Sequence, residues 1–137
     1  MRFAKYIMVA LLSLSACKKA VEHKEQDLLL QLIVNGQWVI TKYTINSNDI
    51  GPLVFSHYRF QFKKNFTVDA INNGTVENTG TWNGSIATKT ITANFPNPNS
   101  TLALLNGTWS VTDSGLDYVE ATQTVNGENR FLHMDKK

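Results

Sequence analysis

The chain predicts an all-β fold: eight antiparallel strands in an up-and-down meander that closes into a barrel, behind a short N-terminal helix. Three observations predict it. From Gln37 onward threonine, valine, isoleucine and aromatics dominate, and turn residues recur every 8 to 12 positions. The segment HYRFQFKK alternates, with Tyr58, Phe60 and Phe62 on one face and His57, Arg59, Gln61 and Lys63 on the other. Such alternation marks a sheet with one buried and one wet face. Finally, five of the eight glycines follow asparagine (Gly36, Gly74, Gly84, Gly107 and Gly127). Asn-Gly suits the two left-handed positions of a tight hairpin turn.

The elements follow in order. Leu28, Leu29, Leu32 and Ile33 recur at helical spacing, Asp27 sits in the first turn, and Asn35-Gly36 supplies a left-handed stop. A helix over 24–34 is therefore expected, packed on the domain. Strands are expected near 37–45, 56–63, 66–72, 75–82, 85–94, 108–113, 116–124 and 128–135. Lys63-Lys64-Asn65, Asn73-Gly74, Asn83-Gly84, Asp113-Ser114-Gly115 and Asn126-Gly127 supply the turns. Phe66, Val68 and Ala70 continue the inward face of the preceding strand. Two connections are longer, 46–55 and 95–106, and the second predicts a helical turn started by Ser100, between the fifth and sixth strands. Successive hairpins place sequence neighbours side by side, and eight such strands lose their exposed edges by closing. A two-sheet sandwich is the alternative.

All three tryptophans sit in Gly-x-Trp, at Trp38, Trp82 and Trp109. Two share more: LLLQLIVNGQWVI and TLALLNGTWSV both run from leucines through Asn-Gly to tryptophan and then a strand. Glycine ends a helical turn, and the tryptophan plugs one end of the core.

The N-terminus reads as an address. Arg2 and Lys5 precede an apolar run from Tyr6 to Leu14, followed by Ser15 and Ala16. Charged, apolar and small is the plan of a secretory signal. The run is far below the roughly 20 residues a spanning helix needs. The sole cysteine, Cys17, follows at once. Leu14-Ser15-Ala16-Cys17 resembles the lipobox of bacterial lipoprotein signals. That resemblance implies a signal peptide over 1–16 and lipidation of Cys17 through its nucleophilic sulfur. Several acyl chains on one residue give stable anchoring. Residues 17–27 are then a lipidated tether and 28–137 the barrel domain.

Removing residues 1–16 from 137 leaves 121, enough for one domain with a core. Arg2 and Lys5 leave with the signal, so 11 basic residues face 11 acidic ones. That balance argues against nucleic-acid binding, which needs a basic stripe. With one cysteine, no internal disulfide is available.

The chain resembles the lipocalin-like families, in particular small lipocalin-like lipoproteins of Bacteroidetes. Gly36, Trp38 and the strand QWVITKYTI carry the likeness, supported by RFQFKKNFTVDAINNGT, TGTWNGS and LNGTWSV. In lipocalins a last-strand arginine packs over the first tryptophan. The resemblance thus implies Arg130 stacked on Trp38, with cation–π character. Gly36, Trp38, Trp82, Trp109 and Arg130 form the expected structural set. The lipoprotein resemblance, with Lys18 and Lys19 after the cysteine, favours the outer membrane facing the periplasm over the cell surface.

No chemistry is encoded in a recognisable constellation. His23, His57 and His133 lack metal-ligand spacing, so no metal or other cofactor is expected. Asp69 and Glu77 lie across one hairpin, where paired carboxylates are usually a solvated face. There is no nucleophile elbow and no phosphate loop, so an enzyme is not expected. An eight-stranded barrel holds one small ligand inside. The leading expectation is thus a monomeric, membrane-anchored barrel binding a small apolar ligand, with Tyr58, Phe60, Phe62 and Phe66 as candidate contacts. The alternative is a solid barrel acting as a protein-interaction or inhibitor module.

Overall fold

The structure, a computed structural model, describes residues 24–137; the expected signal peptide, lipobox and Cys17 lie outside the described residues. A helix, α1, spans 24–34. Its Ile33 is buried, and Leu29, Leu30 and Val34 pack against the core. Residues 24–27, placed by sequence in the tether, form its first turn. The chain continues through β1 (Trp38–Ile45), β2 (Asn48–Asp49), α2 (Gly51–Val54), β3 (Tyr58–Phe62), β4 (Thr67–Asn72), β5 (Thr75–Ser85) and β6 (Thr90–Asn94). Then come α3 (Ser100–Ala103), β7 (Gly107–Ser114), β8 (Tyr118–Val125) and β9 (Glu128–Lys136).

Eight of these strands form a closed antiparallel barrel, in the order β1-β3-β4-β5-β6-β7-β8-β9 and back to β1. The short β2 is an extra flap on β1, pairing Ile45 with Asn48. The closing seam runs the length of β1, from Trp38 opposite Lys136 to Ile45 opposite Arg130. On its other side β1 meets β3 at Trp38 and Phe60 only. There the strands splay, and β2 and α2 fill the gap. A bulge between Ile40 and Lys42 turns the inward face from Ile40 to Tyr43. Bulges add the local twist that closure needs.

The hairpin chemistry reads through at two turns. Asn73 and Gly74 take φ of 49° and 82°, and Asn126 and Gly127 take 52° and 78°. These are the left-handed pairs that match strand twist. Asn83-Gly84 does not turn. It lies inside β5, paired with Thr92 and Ile91. The reversal comes later, with Lys89 at φ 52°. The reason is local: Gly80, Trp82 and Gly84 all face inward and are buried. A residue with Cβ at Gly80 would meet the Asn94 carbonyl oxygen at 2.5 Å. Gly80 thus serves close packing, and Gly84 continues the inward face of β5, not a reversal. The β7–β8 turn is also displaced, because Ser114 is still strand and the reversal falls on Gly115–Asp117. The turn between β6 and β7 is capped one residue earlier than expected. The Asn99 side chain, not Ser100, accepts from the Leu102 N–H at 2.8 Å.

The repeated leucine–Asn-Gly-x-Trp pattern has one geometry in both copies. The Trp38 indole donates to the Ile33 carbonyl at 2.9 Å, and the Trp109 indole to the Leu105 carbonyl at 2.9 Å. Each tryptophan thus ties the helical segment before it to the barrel, with its polar handle satisfied. Trp82 has no helix before it and donates to Lys63 across the β3–β4 turn at 3.0 Å.

A candidate ligand groove at the helix-capped end

The barrel has two ends. One, the helix end, carries α1, the start of β1, the end of β9 and the β3–β4, β5–β6 and β7–β8 turns. The other, the loop end, carries α2, α3 and the β4–β5 and β8–β9 turns.

The loop end is sealed. Tyr43, Phe55, Tyr58, Phe60 and Phe95 form a chain of ring contacts with centroids 5.3 to 6.3 Å apart. The Tyr43 hydroxyl donates to the Leu104 carbonyl at 2.7 Å. Burial pushes its pKa up to about 12, against the pull of nearby Arg130. The Tyr58 hydroxyl donates to Glu77 at 2.5 Å and accepts from Asn99 at 3.1 Å. Burial first, and then the Glu77 carboxylate, raise its pKa. These bonds stitch β3, β5 and α3 together and fix the aromatic plug in one arrangement.

Inside the barrel a cavity of about 50 Å³ remains, lined by Phe60, Phe62, Val68, Phe95, Trp109, Leu132 and other apolar side chains. Drug-sized ligands occupy sites of roughly 300–1,000 Å³. The lumen is therefore a packed core. Tyr58, Phe60 and Phe62 do face inward as the alternation predicts, buried to 6%, 2% and 7% exposure. They fill the space where a ligand was expected. Phe66 does not face inward at all. It sits on the β3–β4 turn at φ 65°, 44% exposed, with its ring 5.7 Å from that of Trp82. The turn closes with Lys63 N–H to Thr67 and Phe66 N–H to Lys63 bonds, so the strand begins one residue later than expected.

The arginine expectation is also corrected. Arg130 lies opposite Ile45 at the far end of the seam and pairs with Glu128 at 2.8 Å. The residue over Trp38 is Lys136, its ammonium 5.1 Å from the ring centroid. It also donates to the Leu32 carbonyl at 2.8 Å, binding the end of α1. Register explains this, since Lys136 is the direct partner of Trp38 on β9. An arginine-based template misses it. Counting back along an antiparallel seam from the chain's last strand would have found it.

The helix end is open on one flank. Between α1 and the β5–β6 and β7–β8 turns lies a groove of about 410 Å³. Leu29, Leu32 and Ile33 of α1 form one wall; Trp38, Ile91, Val111 and Val119 form the floor; Ile86 stands opposite. Lys89, Thr90, Thr112, Asp113 and Ser114 supply its polar positions. One bridge crosses the rim near the start of α1: Gln26 donates to the Gly84 carbonyl at 2.7 Å and accepts from the Ile86 N–H at 2.9 Å. Residues on α1 and on two separate turns build the groove, so no contiguous sequence pattern marks it.

Asp69 and Glu77 do not converge. Asp69 pairs with Lys63 at 2.8 Å and accepts from Thr79, whereas Glu77 serves Tyr58. The Lys63 partner holds the Asp69 carboxyl below the usual carboxylate range. On the outer wall His133 bridges Glu120 at 3.2 Å and Asp135 at 3.0 Å, with the Tyr118 ring stacked on it at 5.7 Å. Among the described residues no group of three His, Cys, Asp or Glu side chains is placed to hold a metal ion. Also among them, no helix is long and apolar enough to cross a membrane.

The fold has a solved counterpart. The chain is similar to the crystal structure of a DUF4847 family protein from Bacteroides vulgatus ATCC 8482, with a TM-score of 0.57 and 12% identity. The likeness covers 80% of this chain and 97% of that one. At that identity it is a likeness of fold alone. No protein-family model matches the chain, and no curated protein does.

Proposed function

We propose that this chain is a lipocalin-like lipoprotein of the cell envelope, anchored through lipidated Cys17, that binds a small apolar molecule in the groove beneath α1. The observation that carries the reading is the groove's volume of about 410 Å³ against about 50 Å³ in the lumen. Only the groove falls within the range of small-molecule sites. Its walls are apolar, with a few polar groups to orient a ligand. The reading is one of binding, carried by that groove. The outer membrane, periplasm-facing, is the expected place, and the protein acts as a monomer. The packed lumen favours a second reading, in which the barrel is a rigid module presenting its loops to a protein partner.

Native mass spectrometry of the protein purified in mild detergent from its host separates the two. We expect an adduct of defined mass, lost when Ile86→Trp fills the groove. Repeatedly empty spectra, or an adduct that survives Ile86→Trp, overturn the groove reading and leave the interaction module. The anchor is tested by labelled fatty acid. Incorporation is expected for the native chain and absent in Cys17→Ala.

A further inference from the structure

We infer that the ligand of the groove is an uncharged amphiphile, with an apolar body lying under α1 and a neutral hydrogen-bonding end, a hydroxyl or an amide, held at the rim. This names the ligand class of the groove proposed above and rests on that reading. The lining is sorted by position. Trp38, Ile91, Val111 and Val119 make the floor, and α1 offers only Leu29, Leu32 and Ile33. Every polar side chain of the lining belongs to the strand ends and turns. Ser85 ends β5, Lys89 and Thr90 lead into β6, and Thr112, Asp113 and Ser114 close β7. The Lys89 carbonyl accepts from the Val111 N–H at 2.8 Å, which joins the β5–β6 turn to β7 as one polar edge. A wholly apolar molecule would cover that edge without replacing its bonds to water.

Ser114 is the polar residue best placed to meet the ligand. It pairs across the ladder with Val119, a floor residue, so both lie on the same face of the sheet. The Thr112 and Thr90 hydroxyls are engaged, with the Glu120 carbonyl at 3.4 Å and with Thr88 at 2.7 Å, whereas that of Ser114 bonds no other described residue. A hydroxyl both donates and accepts, which suits a neutral partner. Charge disfavours an ionic one. The charged residues of the lining are Lys89 and Asp113, one of each sign. Asp113 accepts from the Tyr118 hydroxyl at 3.1 Å, which leaves its charge in place. The barrel end around them is balanced too. Lys24, Lys64, Lys136 and Lys137 stand with Glu25, Asp27, Asp117 and Asp135, and Lys63 is paired to Asp69. An anion drawn to Lys89 would meet Asp113, a cation drawn to Asp113 would meet Lys89, and either would shed water to enter an apolar groove.

The test uses the chain from Lys18 onward, which contains every described element of the fold. Three probes share one octyl chain and differ in the head: octanol, octanoate and octylammonium, each titrated at neutral pH. Amide chemical shifts give the affinity and the place of binding, and they report the fold of every variant. Octanol should bind about tenfold more tightly than either ion, since only the ions lose charge hydration. Its shifts should fall on Trp38, Ile91, Val119 and Ser114. Ser114→Ala should weaken octanol by about threefold or more, the loss of one hydrogen bond, and leave the two ions as they were. An ion that binds in the groove as tightly as octanol overturns the uncharged class, and so does an octanol affinity that Ser114→Ala leaves unchanged. In both cases the groove itself stands, provided that Ile86→Trp abolishes binding. Absence of octanol binding, or shifts that survive Ile86→Trp, overturns the groove and the ligand class together.

Discussion

The two ends of the barrel are closed by one sequence device with opposite outcomes. At each end a leucine-rich segment, an Asn-Gly and a tryptophan join a helical turn to a strand, and each indole bonds back to a carbonyl of that segment. At the loop end α3 is short and has help. Together with α2, Tyr43, Phe55, Phe95 and Leu102 complete a plug that excludes water. At the helix end α1 works alone, lying across the opening with Leu29 and Leu32 only half-buried. A single rod cannot tile a round opening, so a groove remains along its flank. Where the polar partners fall reinforces the contrast. The loop end buries its tyrosine hydroxyls with partners, while the helix end is held by Gln26 and Lys136 near the two ends of α1.

The contrast breaks most visibly by truncation. Phe55 is 1% exposed in the plug, and Phe55→Ala should destabilise the barrel by about 3–5 kcal/mol. Leu29→Ala, in the half-buried wall of the groove, should cost about 1 kcal/mol or less, because the site already borders solvent. Urea unfolding of both variants checks it. Equal losses would mean that α1 is as tightly integrated as the plug.

Two glycines of β5 sharpen the comparison at smaller scale. An alanine at Gly80 would place its Cβ 2.5 Å from the Asn94 carbonyl and 2.9 Å from the Phe95 ring, so Gly80→Ala should cost about 1–3 kcal/mol. At Gly84, towards α1, the same Cβ would find Trp82 at 3.6 Å and Leu29 at 3.9 Å, which is ordinary contact. Gly84→Ala should therefore be neutral or stabilise by up to about 1 kcal/mol, through the unfolded chain. Thermal melts of the pair decide whether the packing gradient along β5 is real.

The smallest effect concerns the groove's outer turn. Burial pulls the His133 pKa down, but its bonds to Asp135 and Glu120 outweigh that and leave it above the ordinary 6.5. Protonated His133 therefore stabilises the β8–β9 wall, and through the stacked Tyr118 the base of the β7–β8 turn. That contribution is fully present below pH 6.5 and is lost as pH rises through the raised value. Stability measured from pH 6 upward should fall slightly in the native chain, and the part of that slope due to this histidine should vanish in His133→Gln. An unchanged slope would show that the histidine makes no net contribution.

Much of this molecule was written locally. The alternation of Tyr58, Phe60 and Phe62 determined their inward face, because strand periodicity is a property of the backbone. Asn73-Gly74 and Asn126-Gly127 determined their turns, because few other pairs adopt two left-handed residues without strain. The leucine pattern and Asn35-Gly36 determined α1 over 24–34. Tertiary structure decided the rest. Asn83-Gly84 lost its turn because the β5–β6 ladder runs through it, pairing it with Thr92 and Ile91. Phe66 left the inward face because the turn before β4 required its left-handed backbone. Lys136, not Arg130, came to lie over Trp38 because seam register, a long-range property, chose the partner. The site itself was the least legible part. Periodicity says which side chains point inward, but not whether they leave room. Space depends on how rings from six or more strands and a helix interlock, and that sum decided that the lumen is filled and the groove under α1 is not.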